Sequence, residues 1–287
     1  MKIEKIGVSK LTVVIPSKIL ANGVNMPYLG LGVYKMTNRE EAIQAMSKAL
    51  EFGYRAIDTA ALYYNEEEVG EAIRASEVPR EEIFVTTKVW NTDQGYDETL
   101  RAFETSMKKL GLDYIDLYLT HWPVEEKFVD TYRAIERLYE ERLIRVPGVS
   151  NHHIHHLEKV FLKANVKPMV NQVEMHPYLS QEQLSAFCKE NEMALTAWSP
   201  LGRGVILQDE TILAIAEKVG KSTAQVILRW HYQHDSISIP KSVTPCRIKE
   251  NAQVFDFELS KEQMTRLDQL NKNQRFGKNP DNFNFDF

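Results

Sequence analysis

Four side chains that could move a proton follow short apolar runs in the first half of the sequence: Asp58, Tyr63, Lys88 and His121. They are an acid, a phenol, an amine and an imidazole, which are side-chain types used in general acid–base catalysis. The runs recur about every 30 residues, the length of one βαβ unit. In a closed barrel of parallel strands the C-terminal strand ends meet at one rim, so we expect the four side chains to share one pocket.

The elements that must position these side chains alternate between strand and helix patterns. The predicted strands are residues 29–33, 54–57, 83–87, 114–120, 144–149, 169–173, 194–198 and 236–239. Helical periodicity occupies the intervals between them, and such alternation predicts a parallel sheet. Eight strands favour an α/β fold of the (β/α)8 TIM-barrel type, in which residues 1–287 form a single domain.

Both ends of the chain predict additions to this barrel. Residues 11–15 and 18–20 are β-prone and are separated by Pro16-Ser17, which predicts an N-terminal hairpin that plugs the barrel bottom. Asn22-Gly23 is another turn or hairpin signal. Helical patterns over 245–254 and 260–271 end the chain, and the aperiodic residues after Asn271 predict a C-terminal loop near the rim.

Composition excludes several classes of partner. The net charge is −5 with no long basic block, which argues against binding to nucleic acid or to an anionic membrane. Two cysteines, Cys188 and Cys246, provide no disulfide framework and fit a reducing compartment, so we expect a cytoplasmic protein. No signal-peptide pattern precedes the barrel, and no run approaches the roughly 18 apolar residues of a membrane helix.

A phosphate site is predicted late in the chain and not in a dinucleotide fingerprint. Gly30-Leu31-Gly32 lacks the third glycine of that motif. After the eighth strand come Lys241 and Arg247, with Pro245 placed to begin a helix whose free N–H groups suit phosphate. The alternative is an ordinary solvated loop, but barrels often bind phosphate after strands seven and eight, which favours the phosphate site.

Taken together, these stretches resemble the aldo-keto reductase family. The shared motifs occur in order between about residues 29 and 271: Gly30-Leu31-Gly32, Asp58-Thr59-Ala60 with Tyr63, Thr87-Lys88-Val89-Trp90, His121-Trp122-Pro123, Gly148-Val149-Ser150-Asn151, Asn171-Gln172-Val173-Glu174, Trp198-Ser199-Pro200-Leu201-Gly202 and Ile239-Pro240-Lys241-Ser242. The similarity is closest to short-loop microbial and protist members. It implies a (β/α)8 barrel, in agreement with the strand count.

The resemblance implies catalytic roles. Tyr63 would be the general acid, preferred over its neighbour Tyr64, and Lys88 would lower its pKa. Asp58 would pair with Lys88, and His121 would orient the carbonyl oxygen. The family pattern also implies an aromatic substrate wall formed by Tyr34, Trp90 and Trp122. His121 would be a further substrate contact.

The resemblance also implies an NADPH/NADP+ cofactor and the residues that hold it. Ser150, Asn151 and Gln172 would bind the nicotinamide carboxamide, and Trp198 would stack on its ring. The remaining positions would contact the pyrophosphate (Ser199, Leu201, Gly202), the 2′-phosphate (Lys241, Ser242, Arg247) and the adenine (Glu250, Asn251).

The implied activity is NADPH-dependent reduction of aldehydes, α-dicarbonyls or keto-sugars by a monomer. Alternatives are a dedicated biosynthetic reductase, similar to a prostaglandin F synthase, and a slow-turnover NADP-binding regulatory protein. Two local features depart from the family pattern. Pro147 predicts an irregular fifth strand. The second feature is a cluster of four histidines, His152, His153, His155 and His156. We expect no metal there, since the sequence shows no third ligand beside His152 and His156.

Overall fold

The computed structural model describes residues 13–282. Eight parallel strands form one sheet in sequence order: β3 (Leu31–Gly32), β4 (Ala56–Asp58), β5 (Phe84–Val89), β6 (Ile115–Thr120), β7 (Ile144–Ser150), β8 (Val170–Glu174), β9 (Ala194–Trp198) and β10 (Ile237–Ser238). A parallel bridge between Leu29 and Ser238 joins the last strand to the first. The predicted (β/α)8 barrel is therefore confirmed.

Helices connect the strands and cover the barrel. They are α1 (Arg39–Phe52), α2 (Glu66–Arg74), α3 (Tyr96–Leu110), α4 (Phe128–Glu140), α5 (Ile154–Phe161), α6 (Glu182–Glu190), α7 (Glu210–Val219), α8 (Thr223–Gln233), α9 (Pro245–Ala252) and α10 (Lys261–Asp268). Local signals explain several boundaries. Asn38 caps α1 through the backbone N–H of Glu41, and Gly53 ends it in the left-handed conformation that glycine adopts without cost.

The N-terminal hairpin differs from its prediction. Its strands are β1 (Ser17–Ile19) and β2 (Asn25–Pro27), so the turn lies at Asn22-Gly23 and not at Pro16-Ser17. Residues 13–15 are not in a strand, and residues 11–12 lie outside the described part of the chain. The reason is local: Gly23 has φ +83, and the side chain of Asn22 accepts from the N–H of Val24, which stabilises the turn.

The hairpin still closes the barrel bottom. Leu20 and Met26 are buried, and they belong to one apolar cluster with residues at the N-terminal ends of the strands, including Ala56, Phe84 and Ile237. Burying these side chains removes apolar surface from water, which is the main force that holds the plug in place.

Pro147 does not disrupt the fifth barrel strand. Strand β7 is continuous, with Pro147 opposite Tyr118 in register. The carbonyl of Pro147 still accepts from the N–H of Met169 at 2.9 Å, so only the missing proline N–H is lost from the ladder. The predicted irregularity is wrong, and Ser150 keeps its place at the strand end opposite Gln172. Within residues 13–282, no helix has the length and apolar character needed to cross a membrane.

Candidate active site

The four candidate side chains lie together at the C-terminal rim of the barrel. Asp58 ends β4, Lys88 lies near the end of β5, and His121 directly follows β6. Tyr63 lies in a single 3-10 turn, Ala61–Tyr63, just after β4. Three adjacent parallel strands thus deliver an acid, an amine and an imidazole to one edge, and the short loop adds the phenol.

Asp58 and Lys88 form a buried ion pair. The Lys88 ammonium donates to Oδ1 of Asp58 at 2.6 Å and to the carbonyl of Thr59 at 2.7 Å, and its side chain is 1% exposed. Oδ2 of Asp58 accepts from the amide of Gln172 at 2.6 Å. Burial raises the pKa of Asp58 and lowers the pKa of Lys88, while the short charge-assisted contact favours the charged form of both. The pair is therefore rigid, and each ion depends on the other.

The loop carrying Tyr63 is fixed by the side chain of Asn65. The hydroxyl of Thr59 donates to Oδ1 of Asn65 at 2.7 Å, and the Asn65 amide donates to the carbonyl of Val33 at 2.9 Å. The Tyr63 side chain is half-buried, while the neighbouring Tyr64 is 82% exposed in a left-handed conformation. Of the two tyrosines, only Tyr63 faces the other three candidates.

The pKa of Tyr63 is raised and not lowered, because burial and the charge of Asp58 outweigh the effect predicted for Lys88. The ammonium lies 5.1 Å from the centre of the Tyr63 ring, but it directs donors to Asp58 and Thr59. Burial raises the pKa of Tyr63 well above its usual value, and the negative charge of Asp58 raises it further. Tyr63 is therefore a protonated phenol at neutral pH, which is the state a proton donor requires.

His121 is a neutral imidazole. Burial lowers its pKa well below the usual value, and the nearby charge of Lys88 lowers it further. Its ring centre is 5.7 Å from that of Tyr63 and 5.0 Å from that of Trp90. A neutral imidazole carries one N–H that can be offered to a carbonyl oxygen. Phenol and imidazole thus face the same space.

Aromatic rings surround this space. The ring centre of Tyr34 lies 4.9 Å from that of Tyr63, while Trp90 packs edge-on against His121 and Trp122 lies 6.4 Å from Trp198. Tyr34 is 47% exposed, whereas the two tryptophans are buried. The structure therefore brings all three predicted wall residues to the tetrad.

The predicted carboxamide residues form a connected group beside the tetrad. Ser150 donates to the carbonyl of Gln172 at 2.7 Å, and the Asn151 amide donates to the carbonyl of His121 at 2.9 Å. The indole N–H of Trp198 donates to Oδ1 of Asn151 at 2.8 Å. Asn151 has φ +63, a left-handed conformation that asparagine tolerates better than most residues. Gln172 also holds Asp58, a contact that the sequence did not reveal.

The predicted phosphate residues lie after the last two barrel strands. Ser199, Leu201 and Gly202 form a tight turn after β9, in which the N–H of Gly202 donates to the carbonyl of Ser199 at 2.9 Å. Lys241 and Arg247 are exposed at the start of α9, and neither makes an ion pair within residues 13–282. Ser242 is buried in the preceding loop, where its hydroxyl accepts from the N–H of Thr244. Glu250 and Asn251 lie one turn further along α9.

Two features of the rim were missed in the sequence. Glu174 at the end of β8 is fully buried and accepts backbone N–H groups from Phe276 and Gly277. His153 contacts Asp281, so the histidine cluster gains a carboxylate, and ligand atoms of His153, His156 and Asp281 lie within 4.8 Å of one another. An acidic residue at the end of an apolar strand could have indicated Glu174. Asp281 could not have been predicted, because it is far from His153 in sequence.

Several ring atoms of the histidine cluster have protein partners. The Arg275 guanidinium donates to Nε2 of His153 at 2.9 Å, which leaves Nδ1–H of that ring to donate to Asp281 at 2.8 Å. Nδ1 of His156 accepts from the backbone N–H of His153 at 3.1 Å and caps α5. These atoms already have partners, and Arg275 places a positive charge where a cation would have to bind.

A closed parallel barrel with an acid–base cluster and an aromatic wall at its C-terminal rim defines a barrel enzyme. Residues 28–272 match the family described as aldo/keto reductase. A glyoxal reductase of Bacillus subtilis is 55% identical over 266 residues, which cover 93% of this chain and 96% of the relative. A 9,11-endoperoxide prostaglandin H2 reductase of Trypanosoma cruzi is 54% identical over 267 residues, which cover 92% and 94%.

Solved structures agree with these similarities. The crystal structure of a Bombyx mori aldo-keto reductase in complex with NADP superimposes with a TM-score of 0.89 at 36% identity, covering 94% of this chain and 97% of that one. The chain belongs to the aldo/keto reductase family. It is accordingly an oxidoreductase that acts on carbonyl groups.

Proposed function

We propose that this chain reduces small aldehydes, α-dicarbonyls or keto-sugars with NADPH, and that Tyr63 donates the proton. The observation that carries the proposal is the geometry at the barrel rim, where the ring centres of Tyr63 and His121 lie 5.7 Å apart. Burial raises the pKa of the phenol and lowers the pKa of the imidazole, which suits a proton donor beside a neutral hydrogen-bond donor. His121 orients the carbonyl oxygen and Tyr63 protonates it. Lys88, held by Asp58, lies 5.1 Å from the phenol ring and stabilises the phenolate that remains.

The nicotinamide half of the cofactor would bind beside the four candidate side chains. When bound, the cofactor supplies the hydride to the carbonyl carbon. Trp198 is partly exposed at the rim and offers an indole for stacking. Ser150, Asn151 and Gln172 would hold the carboxamide. The hydrogen bonds that link these polar groups show that they are preorganised.

The 2′-phosphate would bind at the start of α9. Lys241 and Arg247 lie near the start of that helix and form no ion pair with the described residues, and cations at a helix N-terminus suit a phosphate. Ser242 would add a hydroxyl. Ser199, Leu201 and Gly202 would line the pyrophosphate, and Glu250 with Asn251 would contact the adenine. The complex of the Bombyx mori relative with NADP supports this class of cofactor.

The direct test is a turnover assay with a panel of carbonyl compounds and NADPH. We expect turnover of methylglyoxal, phenylglyoxal and simple aldehydes, because the relative at 55% identity is named a glyoxal reductase. Replacing Lys241 and Arg247 with neutral residues should raise the KM for NADPH far more than that for NADH. Equal effects on both cofactors would contradict the 2′-phosphate assignment.

Two alternatives have separate outcomes in this assay. The Trypanosoma cruzi relative at 54% identity favours a dedicated biosynthetic reductase, which would turn over prostaglandin H2 and few aldehydes. A slow-turnover regulatory protein would bind NADPH and reduce none of the panel at an appreciable rate. We further propose that residues 1–287 act as a single-domain, cytoplasmic monomer, and size-exclusion chromatography with light scattering tests the oligomeric state.

A further inference from the structure

Glu174 joins the end of β8 to residues 275–277 near the chain end, here named the C-terminal strap. Its Oε1 accepts from the backbone N–H of Phe276 at 2.7 Å and of Gly277 at 3.0 Å. Its Oε2 accepts from Gly277 at 3.2 Å and lies 3.9 Å from the Arg275 guanidinium. A carboxylate with no exposed surface is costly unless its lone pairs are used, and here the strap uses them, with Nε2 of His176 a further contact 3.4 Å from Oε1.

The strap in turn lies against Trp198. A Cβ atom placed on Gly277 would be 2.3 Å from Cη2 of the indole, so the backbone of Gly277 itself packs on the ring edge. The opposite side of the indole is fixed by the hydrogen bond from its N–H to Oδ1 of Asn151 at 2.8 Å. Trp198 is therefore held at both ends, by Asn151 and by the strap.

Flanking contacts position the strap without contacting Trp198. Arg275 donates to His153 at the start of α5, and His153 also contacts Asp281 on the far side of the strap. The Phe276 ring packs 5.0 Å from His176. Between these anchors, Glu174 is the group that bonds directly to the backbone at Phe276 and Gly277.

We propose that Glu174 is a positioning residue for the cofactor: it holds the C-terminal strap against Trp198 and so fixes the indole on which the nicotinamide stacks. The proposal rests on the cofactor site proposed above. Loss of the Glu174 carboxylate should loosen the strap, free the Trp198 ring edge and weaken NADPH binding. Proton donation by Tyr63 should be largely retained, because neither Glu174 nor the strap contacts the phenol.

The variant that tests the proposal is Glu174→Gln, which keeps the shape of the side chain. In the Oε2 position its NH2 group would face the N–H of Gly277 and the Arg275 guanidinium, and in the Oε1 position it would face the N–H groups of Phe276 and Gly277. In either orientation a donor meets a donor, and the strap loses an acceptor. We expect the Kd for NADPH, measured by quenching of tryptophan fluorescence, to rise roughly tenfold, in keeping with a lost hydrogen bond to a charged group. At saturating NADPH, kcat should stay within about threefold of the unmodified chain, and hydrogen exchange at Phe276 and Gly277 should accelerate.

The chain offers a matched control in Glu136. This carboxylate is 2% exposed and also accepts two backbone N–H groups, those of Asn165 and Val166, but it lies on α4 away from the rim. Glu136→Gln should cause a comparable loss of thermal stability with an unchanged Kd for NADPH. A rise in Kd of the same size in both variants would overturn the proposal, because the effect would then be one of general stability.

Two further outcomes would refute the positioning role of Glu174. A Kd for Glu174→Gln equal to that of the unmodified chain would refute the positioning role while leaving the proposed function intact. Failure of the unmodified chain to bind NADPH would refute both. If Glu174→Gln does not fold, Gly277→Ala gives the same test from the other side, since its Cβ must displace the Trp198 ring. That variant should likewise raise the Kd, and an unchanged value would contradict the proposal.

Discussion

Replacing Asp58 with asparagine should destabilise the protein severely, although the two side chains have nearly the same shape. Oδ1 of Asp58 accepts from Lys88 and Oδ2 accepts from Gln172, both at 2.6 Å. Asparagine has one acceptor oxygen and one NH2 group, so one of these two donors must face another donor. The substitution also leaves the ammonium of Lys88, 1% exposed, without its counter-ion.

The magnitude follows from the burial of the pair. Removing one partner of a buried ion pair costs about 3–5 kcal/mol of unfolding free energy, whereas an exposed pair is worth about 0–1 kcal/mol. At roughly 2–4 °C per kcal/mol for a chain of this size, the melting temperature of Asp58→Asn should fall by about 10 °C. Calorimetry or thermal unfolding followed by circular dichroism measures this change.

A double-variant cycle separates the pair from its surroundings. Lys88→Met alone should also be strongly destabilising, but Asp58→Asn combined with Lys88→Met should be less damaging than the sum of the two, because no buried ion remains unpaired. Glu51→Gln, which removes the exposed partner of Lys48, serves as the control and should change stability little. Strict additivity, or an Asp58→Asn variant as stable as the unmodified chain, would refute the assignment of a charged buried pair.

Two further predictions concern titration. Burial lowers the pKa of His152 and of His231 to about 3, so each binds a proton in the unfolded chain but not in the folded one as pH falls below about 6.5. The free energy of unfolding should therefore decrease on acidification, by about 2 kcal/mol per histidine between pH 6.5 and pH 5. Urea unfolding midpoints measure this decrease, which should be smaller in His231→Gln. The second prediction compares ultraviolet titrations of the unliganded chain and of Tyr63→Phe. The difference between them should show no phenolate step below about pH 10, since burial raises the pKa of Tyr63. A step near pH 8 would show that Lys88 outweighs burial.

The sequence predicted the barrel well because its signals are local and repeated. Each barrel strand lies within or beside a predicted apolar run, and α1, α3 and α4 occupy intervals in which helical periodicity was predicted. The N-terminal hairpin was predicted in the right region with two candidate turns, and the left-handed Gly23 of Asn22-Gly23, not Pro16-Ser17, makes the turn between β1 and β2. Pro147 shows that a strand in the middle of a barrel can lose one N–H donor and keep its register.

The rim was only partly predictable. The positions of Asp58, Lys88 and His121 follow from strand ends, but their electrostatics depend on burial and on where each donor points. The pKa of Tyr63 was therefore predicted in the wrong direction. Phe276 and Gly277 of the C-terminal strap lie 102 and 103 residues from Glu174 in sequence, and no local pattern indicates such a contact.

The central claim, that Tyr63 donates the proton in an NADPH-dependent reduction, is tested most directly by Tyr63→Phe. The substitution removes one hydroxyl from a ring packed between Tyr34 and His121, and so should leave the pocket in place. The account predicts that NADPH oxidation with methylglyoxal falls by at least about a hundredfold, in the range of a lost general acid, while NADPH still quenches tryptophan fluorescence with an unchanged Kd. Retention of most of the turnover, with the cofactor bound, would contradict it.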